Sequence, residues 1–541
     1  MATHTIFNQV PPFEEVNLFT ADRALGEALR REGAAWAEDQ TRAFGEIVGR
    51  PETIAWGYQA NEHPPMLRTH DRAGHRIDEV EFHPAWHELM RLAVEHGLHS
   101  LPWRTPRPGA HVARAALFRL LAEVEAGVGC PLSMTYSALP ALRHEPGLAA
   151  EWEPRITSLA YDPRLIPSWE KAGALCGMAM TEKQGGSDVR ANTTAARPLE
   201  AEGEYELTGH KWFCSAPMCD AFLVLAQAPG GLSCFLLPRF TPDGERNRIH
   251  LQRLKDKLGN RSNASSEIEL HAAWARLVGE EGRGVPTILE MVNHTRLDCV
   301  IGSTASQRMG TARAIHHAAH RSAFGRLLAD QPLMRNVLAD LAIESEAATV
   351  AMMRLARAYD TEAEAPFRRL ATAVLKYWIC KRAPVHAAEA LECLGGNGYV
   401  EEWGMARIYR ESPLNSIWEG SGNVQCLDVL RAIQKTPEWI AALLAEIEEA
   451  QGADARLDAA VASLKRDLGA PGDPETQARR FVERLALALQ GSLLVRHSPT
   501  PVADAFCASR LGGDGGRAFG TLPAGTDFGG ILERALASEL L

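Results

Sequence analysis

Apolar residues recur at three- and four-residue spacing through most of this chain, and a single stretch breaks that rhythm. Ala110 to Ala126 carries Val112, Ala116, Leu117, Leu120, Leu121 and Val124 on one stripe, the period of an amphipathic helix. Runs of this kind make residues 1–177 mainly helical after a proline-containing arm. From 178 to 286 the texture changes to short apolar or alternating blocks divided by Gly, Pro and Asp. Ala221-Phe-Leu-Val-Leu-Ala226 and Ser233-Cys-Phe-Leu-Leu-Pro238 are examples, and they read as strands between turns. Helical periodicity returns over 287–437, as in Val337 to Ala347 and Arg368 to Trp378. An Ala/Leu-rich segment, 438–541, stays helical to about 495 and loosens into Gly-rich sequence around Leu511 to Gly516. Helix, sheet, helix, helix, with no βαβ alternation and no internal repeat, predicts an α+β fold. Its parts are an N-terminal helical domain (1–177), a β-barrel or sheet domain (178–286), a helical bundle (287–437) and an extra C-terminal helical domain (438–541).

At 541 residues the chain exceeds what one core supports, which agrees with several domains. The net charge of −11 argues against indiscriminate coating of nucleic acid, because that binding needs Lys and Arg to neutralise phosphates. A local basic patch stays open. The 10 cysteines are scattered without C-x-x-C spacing, so neither a disulfide framework nor a metal site is expected. The N-terminus lacks a basic stretch followed by an apolar run, and no window reaches membrane-spanning length. A cytoplasmic protein with no membrane partner is the expectation. No metalloprotease, serine-hydrolase or P-loop motif occurs, and no G-x-G-x-x-G follows a predicted strand. Any dinucleotide must therefore be held without a Rossmann unit.

Three segments carry candidate chemistry. In Asn415 to Asn423, Glu419 stands beside Trp418 and before Gly420, Ser421 and Gly422. A carboxylate in partly apolar surroundings can act as a proton-abstracting base, although a plain loop has the same composition. In Met180 to Asp188, backbone amides near Gly185 and Gly186, with the hydroxyls of Thr181 and Ser187, could receive a pyrophosphate or the edge of a heterocycle. A polar interdomain turn is the alternative. In Gly209 to Ser215, Trp212 could cover a flat ring or fill a core.

Taken jointly and in order, these segments resemble the acyl-CoA dehydrogenase family. Met180-Thr-Glu with Gly186-Ser-Asp188, and Lys211-Trp-Phe-Cys-Ser215, are similar to its two flavin signatures. Leu277 to Gly284 resembles the turn leaving its β domain, and Arg321 to Gly325 with Gln331 precedes Leu394 to Tyr399 in the family's order. Trp418-Glu-Gly-Ser421 occupies the slot of its catalytic Glu motif.

The resemblance implies FAD as cofactor, an acyl thioester as substrate and Glu419 as the base that removes the α-proton. It places Met180, Thr181, Gly186 and Ser187, then Trp212, Phe213, Cys214 and Ser215, against the cofactor. Ile417, Trp418, Gly420, Ser421 and Asn423 form the C-terminal signature, which the resemblance also places against the cofactor. Arg321 and Gln331 match groups that reach a neighbouring subunit's FAD, which implies a homotetramer built as a dimer of dimers. The wording of Met180 to Val189, Leu254 to Ala264 and Asn415 to Asn423, with the extra C-terminal segment, is similar to the family's alkylation-response branch.

That branch implies binding of duplex DNA through the C-terminal region, protection from alkylation damage, and weak or residual dehydrogenase activity. Arg480 and Arg484 at i, i+4 spacing, with Arg479 adjacent, are the candidate DNA contacts. A solvated, salt-bridged helix face is the competing reading, since 438–541 holds more carboxylates than Lys and Arg. An ordinary metabolic acyl-CoA dehydrogenase without DNA binding is the functional alternative. Three departures stand out: Glu392 where the family commonly has Gln, Ser215 for a frequent Thr, and Trp418-Glu-Gly-Ser421 for Tyr-Glu-Gly-Thr. They leave the acyl chain unspecified.

Overall fold

The computed structural model describes residues 3–468 and 473–536, and the chain divides into two compact units. One unit comprises Glu52–Pro106 and Glu125–Asp298; the other comprises Met1–Pro51, Arg107–Val124 and Cys299–Leu541.

The first unit is built on strands. A hairpin of β1 (Met66–His70) and β2 (Arg76–Glu81) interrupts the region that the periodicity marks as helical. Its turn forms because Asp71 Oδ1 accepts the amides of Ala73 and His75 at 2.8 and 2.9 Å, while Gly74 supplies φ +87°. Seven strands follow: β3 (Cys176–Ala179), β4 (Ala195–Pro198), β5 (Glu204–Ser215), β6 (Ala221–Ala228), β7 (Gly231–Pro238), β8 (Ile249–Leu254) and β9 (Ser265–Val278). Pairing runs β6–β4–β5–β9–β7 and back to β6, so the sheet closes on itself. β3 pairs along β6 ahead of β4, and β8 lies along β9 beside β5's partner residues. Closure matters because it leaves few unpaired edges. Every residue from Ala221 to Ala226 is buried, as expected of a strand covered on both faces.

The second unit is helical. Its long members are α1 (Gly284–His320, part of this unit from Cys299), α2 (Pro332–Arg357), α3 (Ala365–Glu392), α4 (Gly422–Lys435), α5 (Pro437–Glu448), α6 (Ala455–Asp467) and α7 (Pro474–His497). Pro332, Pro437 and Pro474 open their helices, where a missing amide hydrogen costs nothing. Asp454 and Asp473 cap α6 and α7 by accepting first-turn amides. Helices α2 and α3 pack against α7, and α3 also packs against α4 and α5.

Helical structure extends past the Gly-rich stretch to Phe528–Ala535, further than the sequence pattern suggests. The stretch itself is fastened to α2. Arg510 donates to Asp340 Oδ1 at 2.5 Å and Glu344 Oε2 at 3.0 Å, and Asn336 exchanges two hydrogen bonds with Leu522. Among the described residues no helix is long and apolar enough to cross a membrane.

The N-terminal segment is anchored by Asp22. Its carboxylate caps Arg23–Leu29 through the Leu25 amide at 3.1 Å, accepts from Arg119 Nη2 at 2.7 Å and lies 3.3 Å from Arg308 Nε. Asp22 and both arginines are buried. Removing one partner of such a group strands the others without compensation, at about 3–5 kcal/mol. Asp22→Asn should therefore lower the urea midpoint of unfolding, while the isosteric exposed change Asp39→Asn should leave it in place.

Candidate functional site

In the barrel unit, a bulge in β5 decides where the second flavin signature points. Lys211 pairs with Ile268 and Cys214 with Ser266, so Trp212 and Phe213 together oppose the single residue Glu267. Lys211 and Cys214 are therefore both buried, whereas an unbroken strand would turn them to opposite faces. Trp212 and Ser215 are half-buried and Phe213 is exposed. Burial pushes the Cys214 thiol up to about 12, so it remains protonated.

Lys211 ties the first signature to this strand. Its Nζ donates to Glu182 Oε1 at 2.8 Å and to the Leu225 carbonyl at 2.7 Å. Glu182 Oε2 accepts from the Thr193 amide at 2.7 Å and from Gln184 Nε2 at 2.8 Å. Burial alone would raise the Glu182 carboxyl; the Lys211 and Thr193 hydrogen bonds outweigh it and hold the group at about 2. The same burial lowers the Lys211 ammonium. Trp212 N donates to the Thr181 carbonyl at 2.8 Å, and Asn192 Nδ2 to the Met180 carbonyl at 2.9 Å.

Met180 and Thr181 are half-buried, while Gly186 and Ser187 are exposed. A Cβ on Gly186 would come within 2.5 Å of Thr181 Oγ1, so the loop folds back on that hydroxyl only with glycine. Cations surround the Trp212 indole. Lys255 Nζ lies 3.7 Å from the ring centroid, and Lys183 Nζ and the Arg253 guanidinium each lie 5.7 Å away. Glu267, opposite the bulge, accepts from Arg253 and Lys255 at 2.8 and 2.7 Å. A glycine cradle, two hydroxyls, an indole and positive charge suit a ligand that joins a flat ring to an anionic tail.

In the helical unit, Glu419 holds φ at +59°, a left-handed conformation that costs a side-chain-bearing residue about 1–2 kcal/mol. Its neighbours account for this. Lys376 Nζ, from α3, donates to the Trp418 carbonyl at 2.8 Å and the Gly420 carbonyl at 2.5 Å. Gln425 Nε2, from α4, donates to the Glu419 and Gly420 carbonyls at 3.0 Å each. The Trp418 indole donates to Asn415 Oδ1 at 2.8 Å, and Asn415 rests where a Cβ on Gly302 of α1 would lie 2.9 Å from its amide nitrogen. Trp418, Glu419, Gly420 and Ser421 are half-buried, while Ile417 and Asn423 are exposed. Sequence reasoning passed over Lys376 and Gln425. The available signal was a lone Lys inside the apolar run Leu370 to Cys380.

The other predicted residues lie elsewhere in the helical unit. Arg321 donates to the Asn8 carbonyl, and the Asn8 side chain pairs with the Ser322 backbone at 2.8 and 2.9 Å. Gln331 Nε2 reaches the Ala323 carbonyl at 3.1 Å, so Arg321 and Gln331 brace one hairpin whose tip, Phe324, is fully exposed. The three candidate DNA-contacting arginines of α7 have separate surroundings. Arg479 Nε donates to Asn423 Oδ1 at 2.8 Å, Arg484 pairs with Asp467, and Arg480 is exposed.

Glu182→Gln should destabilise the barrel unit by about 3–5 kcal/mol, because Lys211 keeps its buried charge without a counter-charge. The sign with pH is fixed. Glu182 has a lowered carboxyl, so its contribution is present above the ordinary value of 4.5 and is lost as pH falls through about 2. Acid unfolding followed by hydrogen exchange on β5 should show that limb in the wild type and lack it in Glu182→Gln.

The chain matches known proteins along most of its length. The family model for the adaptive response protein AidB N-terminal domain matches residues 8–163. The acyl-CoA dehydrogenase middle and C-terminal domain models match 177–273 and 282–434. The chain is 48% identical over 519 residues to AidB of Escherichia coli (strain K12), covering 95% of each chain. It is 30% identical to acyl-CoA dehydrogenase family member 11 of Caenorhabditis elegans, covering 89% of this chain and 84% of that one. Among solved structures, Caenorhabditis elegans ACDH-11 in complex with C11-CoA superposes with TM-score 0.84 at 26% identity, covering 94% of both chains. The Bd2924 apo-form superposes with TM-score 0.82 at 29% identity, covering 92% of this chain and 100% of that one. The chain belongs to the acyl-CoA dehydrogenase family of FAD-dependent oxidoreductases, and within it is AidB-like.

Proposed function

We propose that this flavoprotein oxidises an acyl thioester between its α and β carbons, with Glu419 as the base, and that it also binds duplex DNA. The observation that carries the catalytic part is the backbone at Glu419, held left-handed by four hydrogen bonds from two buried side chains. Restrained backbone strain of this kind gathers at functional residues. In the reaction the Glu419 carboxylate takes the α-proton, and the β-hydrogen leaves with its electron pair. FAD, when bound, supplies the acceptor for that hydride.

Thr181, Ser187, Trp212 and Ser215 are the side chains assigned to hold the cofactor, with Met180, Gly186, Phe213 and Cys214 in the same two signatures. Arg321 and Gln331 are assigned to a second subunit's cofactor in a homotetramer, and a cytoplasmic location and the divisions at 177, 286 and 437 belong to the same reading. The acyl-CoA class of substrate is supported by the ligand of the ACDH-11 complex. In the purified flavin-loaded protein, Glu419→Gln should keep the flavin spectrum and reduce acyl-CoA-dependent bleaching to a small residual rate. Bleaching at the wild-type rate would remove Glu419 from the role.

The likeness to AidB supports the second part, in which the protein sits on duplex DNA and shields it from alkylation. Arg480, exposed on α7, is the leading contact, with Arg484 one turn further along. Retardation of a duplex in a gel shift should weaken as salt rises. Arg480→Ala with Arg484→Ala should weaken it further; no retardation at low salt would leave an ordinary acyl-CoA dehydrogenase.

A further inference from the structure

We propose that Lys376 and Gln425 are positioning residues that aim the Glu419 carboxylate by gripping its peptide carbonyls; this rests on Glu419 being the base. Both side chains are buried, 1% and 0% exposed, and both converge on three successive carbonyls, those of Trp418, Glu419 and Gly420. The Lys376 ammonium donates to the Trp418 and Gly420 carbonyl oxygens. A buried cation bonded to carbonyls draws them inward strongly, since each bond is charge-assisted.

The direction of that pull matters for one torsion. Carbonyls 418 and 420 both turn toward a single nitrogen, and Gln425 brings carbonyl 419 to its own amide. In this arrangement residue 419 sits at φ +59° and Gly420 at +96°. Gly420 has to be glycine for a second reason: a Cβ there would lie 2.8 Å from Gln425 Nε2. With its carbonyl and φ fixed, Glu419 presents its side chain in one direction and does not sample the right-handed alternative. A displacement of about 1 Å at a reacting group can cost about 100-fold in rate.

The test uses the full-length, flavin-loaded protein with Lys376→Met, Gln425→Met, Glu419→Gln and the pairwise combinations. Single-turnover bleaching by a saturating acyl-CoA should slow about 10- to 100-fold in Lys376→Met and in Gln425→Met. Flavin content and the dissociation constant for a non-reactive acyl-CoA analogue should stay within about threefold of wild type, which a merely structural role would not predict. Adding Lys376→Met to Glu419→Gln should slow the reaction no further, because both act on one group.

In the flavin-free protein, hydrogen exchange over residues 414–425 should rise in both Met variants while the barrel strands keep their protection. Gln425→Met exchanges one neutral side chain for another and keeps the test usable if Lys376→Met does not fold. Wild-type bleaching in Gln425→Met, or a multiplicative loss in the Glu419→Gln background, overturns the proposal. Wild-type bleaching in Glu419→Gln alone overturns instead the reading on which it rests.

Discussion

A charged side chain sealed from water is tolerable only where polar groups replace its lost hydration, and the buried cations Lys211, Arg119 and Lys376 each meet that constraint in a different way. Lys211 meets it with Glu182 and the Leu225 carbonyl, and so draws the 180–188 loop onto β5. Arg119 meets it with Asp22, and so fixes the entry of the N-terminal segment. Lys376 meets it with backbone carbonyls, and so sets the conformation at Glu419. In each case the charge holds a neighbouring segment of chain in place. The loops that carry the chemistry are the ones most in need of such anchoring.

Much of the architecture was legible as periodicity. The helical runs, the block texture of the barrel strands and the absence of a Rossmann unit all follow from local spacing. Barrel closure does not, because it depends on pairings between strands far apart in sequence, such as β6 with β4. The 66–81 hairpin was passed over because two short alternating runs weigh little inside a region dominated by helical spacing. The Gly-rich stretch near 511–516 reads as loose since its restraints, Asn336, Asp340 and Glu344, lie on a helix more than 150 residues earlier, as the separations of 166 to 186 residues show.

The site divides in the same way. Motif order was enough to mark Glu419, Thr181, Ser187 and Trp212 as candidates. The residues that orient them were silent, because a Lys or Gln on a helix reads as a surface residue until its neighbours are known. The bulge that separates Trp212 and Phe213 from Lys211 and Cys214 was equally hidden, since an extra residue in one strand exists only relative to its partner. The sequence points Asn423 to the flavin and Arg479 to DNA, yet one hydrogen bond joins them. A flavin-signature residue and a candidate DNA-contacting helix are thereby mechanically linked within one unit.

The left-handed backbone at Glu419 has a consequence for anyone engineering this protein. Glycine adopts that conformation without the steric penalty a Cβ incurs, so replacing Glu419 by glycine relieves local strain. A selection that rewards heat resistance alone is thus drawn toward the residue on which the chemistry is proposed to depend. Thermal robustness and reactivity compete here over one torsion angle, and a screen has to read both to keep either.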